Sequence, residues 1–211
     1  MIIHPTTSVL FVVDNDDSSL QPFLSYLQDI AHLKLTVEVR MVKDLSAYDV
    51  VVTENTAAFA GDNDQLTKFV HGGGGWLGLV KLSDKPLPQL FGAQPHPLGP
   101  EAELRVLFKN KDHPLATRLP EAIYLKGCHQ PLDKASEDTE TVLYADWHYQ
   151  HSPVLVRRTA GEGHVACTTL QAYDDPAFQQ ILYRLLRLLA GHFEPHRTYG
   201  VGLLGYAQSV G

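Results

Sequence analysis

The sequence contains few cysteines, no cluster of basic residues and no long apolar segment. Only Cys128 and Cys167 are cysteines among 211 residues, which is too few for a disulfide framework and typical of a reducing compartment. The net charge is -7, and the lack of Lys- or Arg-rich stretches argues against a nucleic-acid partner. The amino terminus does not resemble a signal peptide, and no run reaches the roughly 18 apolar residues of a membrane span. We therefore predict a cytoplasmic protein that binds neither nucleic acid nor membrane.

The first half of the chain alternates between strand and helix patterns. Apolar strands are predicted over residues 9–13 and 49–53, and an alternating strand over 35–40. Amphipathic helices follow the first and third strands. Ser18 is predicted to cap the first helix, and glycines 72–75 are predicted to end the second. This alternation predicts an α/β domain with right-handed crossovers and a parallel sheet.

The second half is richer in strands. After a buried strand at 76–80, the proline-rich residues 85–100 are predicted to form an irregular excursion over the carboxyl edge of the sheet. Asp175, Pro176 and Gly191 mark the start and end of a last helix. With 44% hydrophobic residues, the chain can bury one core, and we predict one domain over residues 1–191. The remaining strands, which extend the parallel sheet in antiparallel fashion, are predicted at 103–108, 122–126, 141–145, 154–158 and 164–170.

Five segments carry a family resemblance in the same order along the chain: 72–80, 112–120, 153–158, 161–170 and 175–191. They resemble the ThuA-like (trehalose utilisation) family of the class I glutamine amidotransferase-like proteins. The resemblance implies a flavodoxin-like, doubly wound, mostly parallel sheet with an antiparallel extension. It also implies a role in carbohydrate metabolism, with a ligand cleft at the carboxyl ends of the strands.

The resemblance does not extend to amidotransferase chemistry. That chemistry needs a cysteine on a strand-to-helix elbow and a histidine that activates it. Val80 stands at the elbow position, and Gln171-Ala172 stand where the family often has a Gly-His pair. Glutaminase activity is therefore not expected, although a hydrolase or isomerase that acts on a sugar stays open. No cofactor is expected.

The predicted loops at the carboxyl ends of the first and third strands carry polar side chains. Asp14 and Asn15 follow the first strand, and Glu54 and Asn55 follow the third. Because these ends meet at one edge of a parallel sheet, the four residues are candidates for binding sugar hydroxyls or for acid and base chemistry. The alternative is that they are ordinary cap and loop residues.

Three further groups of side chains are candidates in the second half. His129 and Gln130 follow a predicted strand and are ligand candidates. Tyr173 and Asp174 follow the last strand, where Asp174 alternatively favours the amino terminus of the following helix. A weaker hypothesis is a zinc site formed by three histidines, although two of them fit an ordinary hairpin connection. The histidines are His129, His148 and His151.

The C-terminal tail, residues 192–211, contains an apolar, glycine-containing segment at 199–205. This segment looks like the first strand of a Gfo/Idh/MocA-type oxidoreductase, but its glycines do not match the G-x-G-x-x-G spacing. The tail therefore indicates either a longer fusion or a strand that packs on this domain or on a second copy. The leading hypothesis is a domain that binds a small sugar-like ligand, and we expect the chain to form a homodimer. The alternative is a non-catalytic module for dimerisation or for docking to such an oxidoreductase.

Overall fold

The computed structural model describes residues 5–14, 19–59, 64–81, 85–147 and 150–194. Within them the chain forms three α-helices, eleven strands and short 3₁₀ turns. The helices are α1 (Gln21–Gln28), α2 (Asp64–His71) and α3 (Pro176–Leu189). The strands are β1 (Thr7–Val12), β2 (Leu33–Glu38), β3 (Val50–Thr53), β4 (Gly75–Leu79), β5 (Ala93–Pro95), β6 (Glu101–Phe108), β7 (Ala122–Cys128), β8 (Leu132–Lys134), β9 (Glu140–Trp147), β10 (Gln150–Ala160) and β11 (Gly163–Thr168).

Nine of the described strands form one sheet in the order β2-β1-β3-β4-β11-β10-β9-β6-β7. The strands from β2 to β11 in this order are parallel, and those from β11 to β7 pair antiparallel. This confirms a mixed α/β architecture with an antiparallel extension. The sheet is less parallel than predicted, however, because the described part contains four parallel and four antiparallel pairings.

The two faces of the sheet are covered by different elements. Alternate residues of β1 point to opposite faces, so Phe11 packs with α1 and α3, whereas Leu10 packs with α2. On the α2 face, Trp76 and Phe91 are both buried, with ring centroids 4.6 Å apart. Phe91 reaches the sheet because Gly78 has no side chain: a Cβ there would lie 2.8 Å from the Phe91 ring. These two aromatic side chains therefore belong to the core rather than to the carboxyl edge.

Helix boundaries follow their local signals in two of the three helices. At α3, Asp175 Oδ1 accepts a hydrogen bond from the amide of Phe178 at 2.8 Å, and Pro176 is the first helical residue, as predicted. At α2, the glycine run ends the helix, and Gly73 has a φ of 104°, which glycine adopts readily. α1 begins at Gln21 after Leu20, with Pro22 in its first turn, and the predicted cap, Ser18, lies outside the described residues.

The proline-rich excursion contains a strand, β5, that its sequence did not predict. β5 pairs antiparallel with β8 in a separate two-stranded sheet. Beside it, the Gln94 side chain accepts from the Leu87 amide at 2.8 Å and donates to the Leu87 carbonyl at 3.1 Å. A side-chain amide thus pairs with the backbone as a neighbouring strand would, which explains how a segment with many prolines is held in place.

Arg187 joins the first and last parts of the domain. Its side chain is fully buried on α3. The guanidinium donates to the Pro5 carbonyl at 2.6 Å, to Thr7 Oγ1 at 2.7 Å and to the His192 carbonyl at 2.9 Å. The two terminal nitrogens of the guanidinium thereby bond to neutral oxygens, and they fix the start of β1 against the residues that follow α3.

The folded state is expected to lose stability as the pH falls through the titration range of the buried His113 and the half-buried His164. The His113 side chain is 6% exposed, and its Nδ1 accepts from the Leu115 amide at 3.2 Å, which requires the neutral ring. Burial lowers the pKa of His113, the Glu140 charge opposes this, and the Arg157 charge adds to it. Burial and then Arg157 also lower the pKa of His164.

Between the lowered folded pKa and the unfolded value of about 6.5, the unfolded chain binds more protons, so acidification favours unfolding. We expect the His113→Asn variant, whose amide oxygen can still accept from Leu115, to show a shallower loss of stability between about pH 7 and pH 5. Urea unfolding across this range measures the slope, and the exposed His151→Asn variant is the control. Equal slopes for His113→Asn and the wild type would contradict this expectation.

Candidate functional site

Polar side chains converge at the carboxyl ends of four adjacent parallel strands. Asp14 follows β1, Glu54 and Asn55 follow β3, Lys81 follows β4, and Gln171 follows β11. Neighbouring strands lie about 4.8 Å apart, so this row spans roughly 14 Å from β1 to β11. We define these five residues as the edge site. In open α/β sheets, this edge is where ligands bind.

Asp14 is the centre of the exposed part of the edge site. Its carboxylate forms an ion pair with the Lys81 ammonium, and the Asn55 amide lies 3.5 Å from the same Oδ2 atom. The Asp14 and Lys81 side chains retain 31% and 44% of their exposure, so both remain open to a ligand. The structure therefore brings Asp14 and Asn55 together as predicted and adds Lys81, which sequence analysis missed.

Glu54 lies beneath this pair and supports it. The residue is only 4% exposed. Its Oε2 accepts from the Asp14 amide at 2.8 Å, and its Oε1 accepts from Ser19 Oγ at 3.4 Å. Glu54 thus holds the loop after β1 in position. Because Glu54 is buried, Asp14 and Asn55 are the candidates that a ligand can reach.

Val80 occupies the predicted elbow position and offers no nucleophile. The residue is 1% exposed, and its amide donates to the Thr168 carbonyl at 2.9 Å. Its carbonyl accepts from Gln171 Nε2 at 3.1 Å. Gln171, which stands where the family often has the glycine of its Gly-His pair, therefore contacts the elbow through its side-chain amide and links the Lys81 end of the row to β11.

A small cavity of about 30 Å³ lies between the end of β7 and the residues after β11. Cys128, Thr169 and Gln171 are among its lining residues. The Thr169 side chain is 2% exposed, and its hydroxyl has no hydrogen-bond partner among the described residues. The volume suits one or two water molecules, and the hydroxyl is a partner for one of them. Thr169 was not singled out from the sequence, since it is an ordinary polar residue at a strand end, and Gln171 was noted only as a departure from the family's Gly-His pair.

His129 and Gln130 are buried and contact the proline-rich excursion. The His129 amide donates to the Pro100 carbonyl at 3.0 Å, and its carbonyl accepts from the Gly99 amide at 2.8 Å. Gln130 Nε2 donates to the His96 carbonyl at 3.0 Å. These bonds give both residues a structural role in fixing the excursion, so their ligand-binding role stays a prediction.

The remaining candidates are spread around the same edge. Tyr173 is 4% exposed, and burial, followed by the charge of Glu54, raises its pKa. Its phenol therefore stays neutral beside the Glu54 carboxylate. Asp174 is exposed at the start of the loop before α3, while the neighbouring Asp175 provides the helix cap.

The predicted histidine site stays a prediction, because His148 lies outside the described part of the chain. In that part of the chain, no group of three or more His, Cys, Asp or Glu side chains is placed to hold a metal ion. His151 is exposed on β10 and its ring lies 4.4 Å from that of Tyr144. The candidate residues Asn15 and His148, and the tail from residue 195 onward, lie outside the described residues. In the described part, no helix has the length and apolarity needed to cross a membrane.

Solved structures share this fold across nearly the whole chain. A protein described as ThuA-like from Parabacteroides merdae superposes with a TM-score of 0.70 and 14% identity, covering 92% of this chain and 93% of that one. Another from Bacteroides uniformis gives a TM-score of 0.63, 14% identity and coverages of 92% and 97%. The β-galactosidase from Bacillus circulans sp. alkalophilus superposes with a TM-score of 0.65 and 16% identity. The match covers 90% of this chain but 32% of the β-galactosidase chain. Comparison with protein-family models gives no match, and neither does comparison with curated proteins.

Proposed function

We propose that the chain is a ThuA-like domain of carbohydrate metabolism that binds a small sugar-like ligand at the edge site. The observation that carries this proposal is the exposed Asp14–Lys81 pair with Asn55 beside it. A carboxylate accepts hydrogen bonds and an ammonium donates them. A hydroxyl does both, so a polyhydroxylated ligand suits such a neighbouring pair better than a ligand with a single charge.

The fold supports a ligand site at this position. The parallel strands follow the order β2-β1-β3-β4-β11, with α1 and α3 on one face and α2 on the other. From this arrangement we infer a flavodoxin-like, doubly wound sheet, a fold whose ligands bind at the carboxyl ends of the strands. The same fold occurs as part of a β-galactosidase, which favours carbohydrate as the ligand class.

The proposal excludes a glutaminase mechanism of the Cys-His type at this edge. Val80 has no nucleophilic atom, and burial raises the pKa of Cys167, whose thiol is fully buried. If the domain turns its ligand over as a hydrolase or isomerase, Asp14 is the side chain best placed to act as acid or base, because it is exposed and its position is fixed by Glu54.

A sugar that binds the edge site is expected to raise the melting temperature of the wild-type chain. At a ligand concentration of a hundred times the dissociation constant, the native state gains roughly 2.7 kcal/mol. The panel comprises mono- and disaccharides and their 3-keto forms. With a sugar that stabilises the wild type, we expect Asp14→Asn and Lys81→Met to weaken binding about tenfold or more, because each removes a charge-assisted hydrogen bond.

Lys111→Met is the matched control for this experiment. Lys111 forms an exposed ion pair with Glu121, in the connection between β6 and β7 and therefore at the opposite edge of the sheet. We expect this variant to retain wild-type affinity. Affinity that stays unchanged in both edge-site variants, or falls equally in the control, would overturn the proposed location of the site.

The second candidate function is a non-catalytic module for dimerisation or docking to a Gfo/Idh/MocA-type oxidoreductase. The observation that favours it is the unoccupied outer edge of β2 among the described residues, since exposed strand edges pair readily with other chains. This function predicts no shift with any sugar on the panel and a complex with the oxidoreductase in sedimentation velocity. A sugar-specific shift without such a complex would exclude it.

The compartment and partner class follow from the same proposal. Cys128 and Cys167 are both free thiols, which suits the reducing cytoplasm. We therefore retain a cytoplasmic location and a small-molecule partner, with no contribution from nucleic acid.

A further inference from the structure

The outer edge of the sheet at β2 has a pattern that is complementary to itself. Within the described residues β2 pairs only with β1, so one side of its backbone has no strand beside it. The two faces of the strand differ in character. Leu33, Leu35 and Val37 lie on one face, and Lys34, Thr36 and Glu38 lie on the other.

The backbone bonds identify which residues present hydrogen-bonding groups outward. The Thr7 amide donates to the His32 carbonyl at 2.9 Å, and the Val13 amide donates to the Glu38 carbonyl at 2.9 Å. In a parallel pair, alternate residues bond to the same neighbour. The even-numbered residues of β2 therefore bond to β1, and the amides and carbonyls of Leu35 and Val37 point away from the sheet.

We propose that two copies of the chain associate through β2, antiparallel and about a two-fold axis at Thr36. In this register Leu35 lies opposite Val37 of the partner subunit, and these two residues exchange both outward hydrogen bonds. Lys34 lies opposite the partner's Glu38 in a non-hydrogen-bonded pair, where side chains approach most closely. The two-fold axis produces this Lys–Glu pair twice.

The charges select this register over its neighbour. Lys34 and Glu38 are exposed, and neither forms an ion pair within the described part of the chain. Moving the axis to Val37 would place Lys34 opposite Arg40 of the partner subunit, and like charges directly opposite are destabilising. The register centred on Thr36 instead gives two opposite-charge pairs.

Apolar surface also favours a second copy as the occupant of this edge. Val37 and Val39 are 44% and 48% exposed. A groove of about 270 Å³ lies between α1 and β2 and includes Leu24, Leu35 and Val37 among its lining residues. Across the two-fold axis, the apolar strip of one copy continues into that of the other, and two nine-stranded sheets become one. The exposed edge is thereby removed.

The test is a charge reversal followed by a charge exchange, measured by sedimentation equilibrium. The wild type is expected to be a dimer. Lys34→Glu places two carboxylates opposite each other twice per dimer, and we expect the dissociation constant to rise about tenfold or more. The double variant Lys34→Glu/Glu38→Lys restores opposite charges in the same register, so dimerisation should return toward the wild-type level.

A second variant tests the apolar face. Val37→Lys puts an ammonium opposite Leu35 of the partner subunit, and we expect it to be monomeric, with a circular dichroism spectrum like that of the wild type. A monomeric wild type would overturn the proposal, as would a dimer that Lys34→Glu leaves unchanged or an exchange that fails to restore dimerisation.

In the antiparallel pair the two edge sites face opposite directions, so sugar binding is expected to persist in the monomeric variants. Failure of this proposal is therefore distinguishable from failure of the proposed ligand site.

Discussion

The Gly163→Ala substitution is expected to lower the free energy of unfolding by about 3 kcal/mol or more, because no space exists for the added methyl group. A Cβ on Gly163 would lie 2.2 Å from the Gly74 carbonyl oxygen and 2.2 Å from the Val70 carbonyl oxygen. Both atoms belong to the backbone, so no rotation of a side chain relieves the overlap. Either the end of α2 or the start of β11 has to move, and the Gly74 carbonyl also accepts from the His164 amide at 3.3 Å.

Gly127→Ala is the matched control for this substitution. Gly127 also lies in a strand, and a Cβ at that position meets nothing within 4 Å. Urea unfolding of both variants gives the comparison, with the midpoint and slope reported together. If Gly163→Ala unfolds at the same urea concentration as Gly127→Ala, the close packing of the glycine run against β11 is wrong.

The Arg187→Met substitution is expected to cost about 3 kcal/mol of stability, because it leaves several buried acceptors without their donor. Methionine fills much of the volume of the side chain but donates no hydrogen bond. The Pro5 and His192 carbonyls and Thr7 Oγ1 would then lose the guanidinium that joins them. Backbone amides at the start of β1 should also exchange hydrogen faster in this variant, since Arg187 fixes that strand to the residues after α3.

Arg105→Met provides the comparison for an exposed arginine. Arg105 donates to Asp146 at 2.7 Å on the surface of the sheet. Exposed ion pairs contribute little because water and salt screen them, so we expect the midpoint of unfolding to change little. An Arg187→Met variant as stable as Arg105→Met would mean that the guanidinium does not hold the two chain segments together.

The parts of the fold that sequence analysis predicted are those set by short-range signals. The start of α3 depends on Asp175 and Pro176, which are adjacent, and the end of α2 depends on a glycine that adopts a positive φ. α1 begins at Gln21, and Pro22 in its first turn favours a helix start there. The β5–β8 pair was missed because the Gln94 side chain bonds to the Leu87 backbone in place of a further strand, and hydrophobic periodicity does not reveal such a bond.

The edge site could be predicted only in part, because some of its residues are brought together by strands that lie far apart in the sequence. Asp14 and Asn55 were identified because each directly follows an apolar strand. Lys81 also follows a predicted strand, but it takes part because the sheet brings β4 near β1, and its partner Asp14 is 67 positions away in the sequence. Gln171 takes part because β11 lies beside β4, a pairing between residues about ninety positions apart. Local patterns contain no information on that pairing. The burial of His129 was likewise hidden, because it results from contacts with Pro100 and Gly99 in the excursion.

The position of β11 has a consequence for synthesis on the ribosome. β4 is apolar and fully buried in the finished sheet, with β3 on one side and β11 on the other. β11 is the last strand to be translated among the described residues, yet it joins the parallel half of the sheet to the antiparallel half. Until residues 163–168 leave the ribosome, one edge of β4 has no partner, and the nascent chain presents an unpaired apolar strand that other chains can capture. Chains that terminate before Gly163 should therefore aggregate, even though they contain the whole of the first half of the domain.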